Sequence, residues 1–219
     1  MLPGMDGGAE LSAEFRALLC ERGLPAEGVS YPSDEVLDYA ALEERVRARL
    51  AEERGPTTLV AESFSGPVAI SIAASPPPNL QRVVLVATFD RAPAPSLLAP
   101  FVRTAMFRRP PPAAFVRWKM LAKDATKSDI ERVQAAIRDV DAEVLAARLR
   151  AVLRVNVQAL ARAIQLPVLS LRASQDRLIA RALRLANQSW HEELIEGPHL
   201  LLNQRPTRCA DAIACFLRP

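Results

Sequence analysis

Short runs of continuous apolar residues alternate along the chain with longer stretches in which apolar positions recur every three or four residues. The runs at 57–61, 82–88 and 166–173 are too uniformly rich in Val, Leu and Ile for half-exposed strands. They predict strands of a parallel sheet covered on both faces. Residues 28–31 and 190–196 carry weaker strand patterns, and helical spacing predicts helices over 10–22, 36–54, 66–74 and 207–217. The product is a βα series, an open α/β sheet.

One segment interrupts the series. Between Pro93 and Leu166 there is no strand pattern, only helical patterns at 115–123, 128–139 and 141–156, with Ser128 and Asp141 placed as N-caps and a Pro110-Pro111-Pro112 run before them. A single crossover rarely needs three helices. Residues 94–165 are therefore expected to form a cap or lid, and 1–93 with 166–219 the core.

The chain has 219 residues, 50% hydrophobic and 24% charged, which suits one globular unit with a substantial core. No apolar run reaches the roughly 18 residues of a membrane span. The N-terminus, with Asp6 and Glu10, does not read as a secretory signal, so a cytoplasmic location is expected. Only Lys119, Lys123 and Lys127 are lysines among 28 basic residues, and the net charge is +3. The Arg residues read as scattered among acids without interleaved aromatics, which argues against nucleic-acid binding. Cys20, Cys209 and Cys215 share no metal-ligand spacing with the two histidines and are expected to be reduced core thiols.

Candidate chemistry begins where the strand at 57–61 runs into Ala61-Glu62-Ser63-Phe64-Ser65-Gly66 and an apolar helix. A serine flanked by small residues on a strand-to-helix turn has the form of a nucleophile elbow. The alternative is an ordinary turn with Ser63 or Ser65 as a helix cap. A serine nucleophile needs a base. His199, after Glu196-Gly197-Pro198, lies on a loop at a strand exit, whereas His191 lies at the entry to that strand and reads as structural or surface-exposed. A carboxylate must hold the imidazole in one tautomer, and Asp176, on the loop after 166–173, is the candidate; its alternative is a solvated acid paired with Arg177. The order Ser63, Asp176, His199 is that of α/β-hydrolases.

With these motifs the sequence resembles an α/β-hydrolase-fold serine hydrolase over nearly its whole length, from Leu2-Pro3-Gly4-Met5-Asp6-Gly7-Gly8 to Gly197-Pro198-His199. In flavour it resembles small carboxylesterases of the pimeloyl-carrier methyl esterase type and their uncharacterised relatives. The resemblance implies a mostly parallel sheet flanked by helices, N-terminally shortened, with a helical cap insertion. It also implies an oxyanion hole from the backbone amides of Met5 and Phe64. Pro3 stands where the family often has a loop-bracing histidine. The family normally has two or three strands before this turn, and the missing one would lie between the strand near Val29 and the strand leading to Ser63. Either Met1-Leu2 and a neighbour replace it or the chain was started late. Reduced stability and self-association through exposed edges, as a homodimer, are expected.

The implied activity is hydrolysis of small to medium acyl esters through an acyl-enzyme, with Ser63 as nucleophile, His199 as general base and acid, and Asp176 orienting it. No metal or organic cofactor is implied, and the partner is a small-molecule ester. Phe89, Phe101, Met106, Phe107, Phe115, Trp118 and Met120 are candidates for an apolar substrate wall, although any of them could instead be lid core. Thioesterase, amidase, lyase or cofactor-free peroxidase chemistry on the same triad stays open, as does a non-catalytic binding protein of this fold.

Overall fold

Among the described residues four parallel strands form the sheet in sequence order: β1 (Thr57–Glu62), β2 (Leu80–Val86), β3 (Val168–Ala173) and β4 (Trp190–Ile195). The computed structural model describes residues 1–179 and 190–218. Strand pleating sends alternate residues to opposite faces. Leu59, Ala61, Val83 and Leu85 enter a core with α2 (Tyr39–Ala51) and α3 (Gly66–Ala74), while Val60, Val84 and Val86 face α1 (Ala13–Glu21) and α9 (Pro206–Leu217). Both faces are thus covered, the arrangement the continuous apolar runs require.

The segment 28–31 departs from expectation, because it forms no regular strand. It runs beside Met1 through two backbone hydrogen bonds, Met1 to the Glu27 carbonyl at 2.5 Å and Val29 to the Met1 carbonyl at 2.8 Å. On its other side Leu2 bridges Ala61 in parallel. Met1-Leu2 thus occupies the slot between the Val29 segment and β1. On the Val29 side the ladder stops there because the next donor would be Pro3, which has no N–H to give.

Helix ends also shift. Helix α2 starts at Tyr39 rather than near 36, because the Asp38 side chain caps the Ala41 amide. The helix expected at 128–139 is α5 (Lys127–Arg138), capped by Thr126 instead of Ser128. Thr126 and Asp129 exchange hydrogen bonds in a capping box, and Ser128, two residues later, is already inside the helix. Asp141 does precede α6 (Ala142–Val152), but its side chain makes no cap bond.

The polypeptide leaves the sheet layer and returns to it through one antiparallel stalk: Arg91 bridges Asn156, Ala92 donates to Val155, and Val157 donates to Asp90. Between these points lie α4 (Ala113–Lys119), α5 and α6. The next helix, α7 (Gln158–Ala163), packs back against α3 and places Ala161 in the main core. Of the three cysteines only Cys209 is a core thiol; Cys20 and Cys215 are exposed, which corrects the expectation for those two. No helix among the described residues is long and apolar enough to cross a membrane.

Candidate active site

Strand β1 ends at Glu62, and Ser63–Ser65 makes a single 3₁₀ turn into α3. Ser63 has φ +46°, a left-handed value that an L-residue adopts only under constraint. The constraint is visible: Thr88 donates its hydroxyl to the Ser63 carbonyl, and its side chain fills the space above Gly66. A Cβ at Gly66 would stand 1.8 Å from Thr88 Oγ1. Gly66→Ala is expected to cost about 1–3 kcal/mol through overpacking and to displace Ser63. A urea titration alongside the residual ester turnover measures both, and wild-type values for each would contradict the close approach.

The Ser63 hydroxyl lies 2.9 Å from His199 Nε2, and His199 Nδ1 lies 2.7 Å from Asp176 Oδ2. His199 is buried, on the loop between β4 and α8 (Leu201–Gln204). Asp176 Oδ1 accepts the amides of Leu178 and Ile179 at 2.8 and 2.9 Å, so both carboxylate oxygens are engaged. Burial opposes ionisation of Asp176, but the His199 hydrogen bond and charge, with these two amides, hold its carboxyl below the ordinary range. The three side chains the sequence singled out therefore form one hydrogen-bonded chain, while His191 is exposed on β4. Such a chain can draw a proton from a serine hydroxyl and hold the resulting imidazolium.

The segment leading into the turn that holds Met5 is tied to the serine turn through Pro3 and Ser65. Neither the Met5 nor the Phe64 amide is spent on a hydrogen bond among the described residues. Several groups that sequence reasoning missed brace this turn. Ser65, fully buried, donates to the Pro3 carbonyl at 2.5 Å and pairs with the Tyr31 hydroxyl at 2.8 Å. Arg148 reaches in from α6: Nη1 donates to the Met5 and Asp6 carbonyls at 2.9 and 3.0 Å, and Nη2 to the Pro32 carbonyl at 2.8 Å. Gly7, at φ +76°, leaves the space the guanidinium fills. Ser65 and Arg148 thus take over the bracing that Pro3 cannot supply.

Glu62, immediately before Ser63, is buried, and its Oε1 has no hydrogen-bond partner among the described residues. Burial and then the Asp6 carboxylate push its pKa up to about 7, against the pull of His199. Asp6 is itself raised by burial, despite the Gly8 amide and Arg148. In the fold Glu62 retains a proton that the unfolded chain, with an ordinary value of 4.5, has lost. Its stabilising contribution is therefore complete below 4.5 and is lost as pH rises to about 7. Glu62→Gln is expected to flatten the decline of melting temperature over this window, and parallel pH profiles for the two proteins would refute it.

The aromatic candidates divide. Phe107 is half-buried and packs with Met5 against Val144 and Leu145 of α6. Met120 is half-buried at the end of α4, and its carbonyl accepts the Leu200 amide at 3.0 Å, which ties α4 to the His199 loop. Phe89 is committed to the main core. Phe101, Met106, Phe115 and Trp118 are exposed. Among the described residues no group of three or more His, Cys, Asp or Glu side chains could hold a metal ion.

Sheet, strained serine turn and hydrogen-bonded Ser–His–Asp chain together define an α/β-hydrolase architecture. The chain belongs to the alpha/beta hydrolase family, whose model matches residues 2–212. Among curated proteins none matches its sequence. Solved structures similar to it include a hydrolase from Pseudomonas aeruginosa PA01, at TM-score 0.79 and 17% identity, covering 99% of this chain and 88% of that one. A carboxylesterase of the thaumarchaeon Nitrososphaera gargenis is similar at TM-score 0.79 and 16% identity, with the same coverage of 99% and 88%. The enol-lactonase of Burkholderia xenovorans LB400 is similar at TM-score 0.71 and 17% identity, covering 98% of this chain and 88% of that one. At such identities the likeness is one of fold.

Proposed function

We propose that the protein is a carboxylesterase-type serine hydrolase acting on esters of small to medium acyl chain. The observation that carries the reading is the Ser63–His199–Asp176 chain, with contacts of 2.9 and 2.7 Å, on a serine at φ +46°. Ser63 Oγ attacks the ester carbonyl as its proton passes to His199 Nε2, and Asp176 stabilises the imidazolium at Nδ1. The tetrahedral oxyanion accepts hydrogen bonds from the Met5 and Phe64 amides, each typically worth about 3 kcal/mol. Collapse expels the alcohol, which takes the proton from His199. Water, deprotonated by the same imidazole, then releases the acid. Residues 94–165 act as the cap, and Phe107, Met5 and Met120 supply the apolar wall on the acyl side. Phe89, Phe115 and Trp118 are left out of that wall because of where their side chains lie.

The test is turnover of p-nitrophenyl esters from acetate to laurate, with fluorophosphonate labelling located by mass spectrometry. Turnover highest at the shorter chains and a single adduct on Ser63 are expected. Absence of both, in a folded protein, would remove the esterase reading and leave a binding protein of this fold.

A further inference from the structure

Four aromatic and Met side chains that the substrate wall does not use stand exposed in one part of the chain, and charge is distributed unevenly there as well. Seven of the 28 basic residues and none of the 25 acids fall in 91–123, which gives +7 there and −4 over the rest. Among the described residues the large apolar side chains exposed to solvent concentrate in the same place. Leu97, Leu98, Phe101 and Met106 are 70%, 44%, 68% and 62% exposed, and Phe115 and Trp118 follow on α4. Val36, Leu160 and Leu194 are exposed singly elsewhere, and Leu178 follows Arg177, which stands over the Trp118 ring.

The conformation of 96–109 explains the exposure. Two 3₁₀ turns, Ser96–Phe101 and Thr104–Phe107, lie against α6 with Ala99, Val102 and Phe107 turned inward against Ala146, Leu149 and Leu153. With the inner side committed to α6, the remaining large apolar residues face solvent beside exposed Arg103, Arg108 and Arg109. Helix α4 repeats the pattern: Val116 is buried against α5, and Phe115, Arg117 and Trp118 are exposed. This departs from the sequence reading, in which basic and aromatic residues did not interleave. Isolated exposed apolar residues need no explanation, but a concentration of them with cations of one sign does.

We propose that the outer side of 96–109 docks on an anionic lipid bilayer surface. Leu, Phe and Met side chains partition into the boundary between headgroups and acyl chains, and the Arg side chains pair with the phosphates. Charge selects this occupant over a second copy of the chain, because two such faces would meet with like charge. The opposite net charge of the rest of the molecule turns this side toward a negative surface. Docking here involves no spanning helix and does not depend on Ser63 chemistry, so binding is measured without turnover.

The test is co-sedimentation of the full chain with phosphatidylcholine vesicles, with and without phosphatidylglycerol. Binding is expected only with the anionic lipid and should weaken steeply with salt. Reversal of Arg103, Arg108 and Arg109 to Glu should lower the partition coefficient about a hundredfold or more, since each cation near such a surface typically contributes about fivefold. Leu97→Asp with Phe101→Asp should also release the protein, whereas Leu194→Asp on β4 should not. Three results would overturn the proposal: no binding to anionic vesicles, release by Leu194→Asp as readily as by the 96–109 variants, or a dimer in sedimentation that those variants dissociate while vesicle binding is absent. In the first case, binding to polyglutamate in place of the vesicles would assign the surface to an acidic protein.

Discussion

Replacing His199 with alanine is expected to cut ester turnover by about 10⁵- to 10⁶-fold, and Ser63→Ala by a similar factor, because groups that act as one unit fail together. The double variant should be no slower than either single one. Asp176→Asn should cost less, about 10⁴-fold, since it leaves nucleophile and base in place but withdraws the anion that sets the His199 tautomer. His191→Ala should leave turnover within about twofold, as an exposed side chain outside the hydrogen-bonded chain. The comparison discriminates sharply because these are the two histidines of the sequence. Single-turnover release of p-nitrophenol, with circular dichroism to show that each variant is folded, is the measurement. A His199→Ala protein with more than a few per cent of wild-type turnover would assign the base elsewhere.

That these three residues could be picked out beforehand, and the residues that brace them could not, has a physical cause. Ser63 announces itself because a left-handed serine between a strand and a helix needs small neighbours, and Ala61, Ser65 and Gly66 supply them. Asp176 was legible because it follows an apolar run that reads as a buried strand, and His199 because it stands on the Gly197-Pro198 turn after the weaker strand pattern at 190–196. The bracing groups carry no such local signature. Arg148 sits in an amphipathic helix in a chain where arginine is the usual basic residue, so nothing in its neighbours distinguishes a guanidinium aimed inward at three carbonyls from one facing solvent. Ser65 reads as a small residue standing in for glycine, and its hydroxyl finds the Pro3 carbonyl across 62 positions of sequence. Thr88 lies just past β2 and looks like any β-former, yet its contact with Gly66 holds the turn. The aromatic wall was the least legible part, because an apolar side chain at a given position fits core, cleft or surface equally well. Phe89 takes the core, Phe107 packs half-buried against α6, and Phe101 faces solvent.

Arg148 carries the second large expectation. Its guanidinium, buried at 3% exposure, is the hydrogen-bond partner of the Met5, Asp6 and Pro32 carbonyls, and it lies 6.0 Å from the Phe64 ring. It therefore touches the residues that carry both proposed oxyanion amides without touching the reacting atoms. The Met5 N–H shares its peptide plane with the Gly4 carbonyl, which accepts the Gly7 amide at 3.1 Å, and Arg148 holds the two planes that follow through the Met5 and Asp6 carbonyls, so the turn from which the Met5 amide points is fixed from its far side by the guanidinium. Arg148→Met removes every one of these donors and leaves three carbonyls short of a partner, each costing about 1–3 kcal/mol where it stays dry. A marked fall in melting temperature is expected. Among molecules that remain folded, kcat should drop about 10²-fold while KM changes little, because an oxyanion donor acts mainly in the transition state. Arg148→Lys should fall between, since an ammonium is a point charge that cannot reproduce a fork reaching three oxygens. A purely structural role would lower the melting temperature and leave kcat per folded molecule intact. Affinity for a boronic acid that forms a tetrahedral adduct on Ser63 separates the two roles further. It should weaken in step with kcat in Arg148→Met if the guanidinium positions the oxyanion turn, and hold at the wild-type value if it only stabilises the fold.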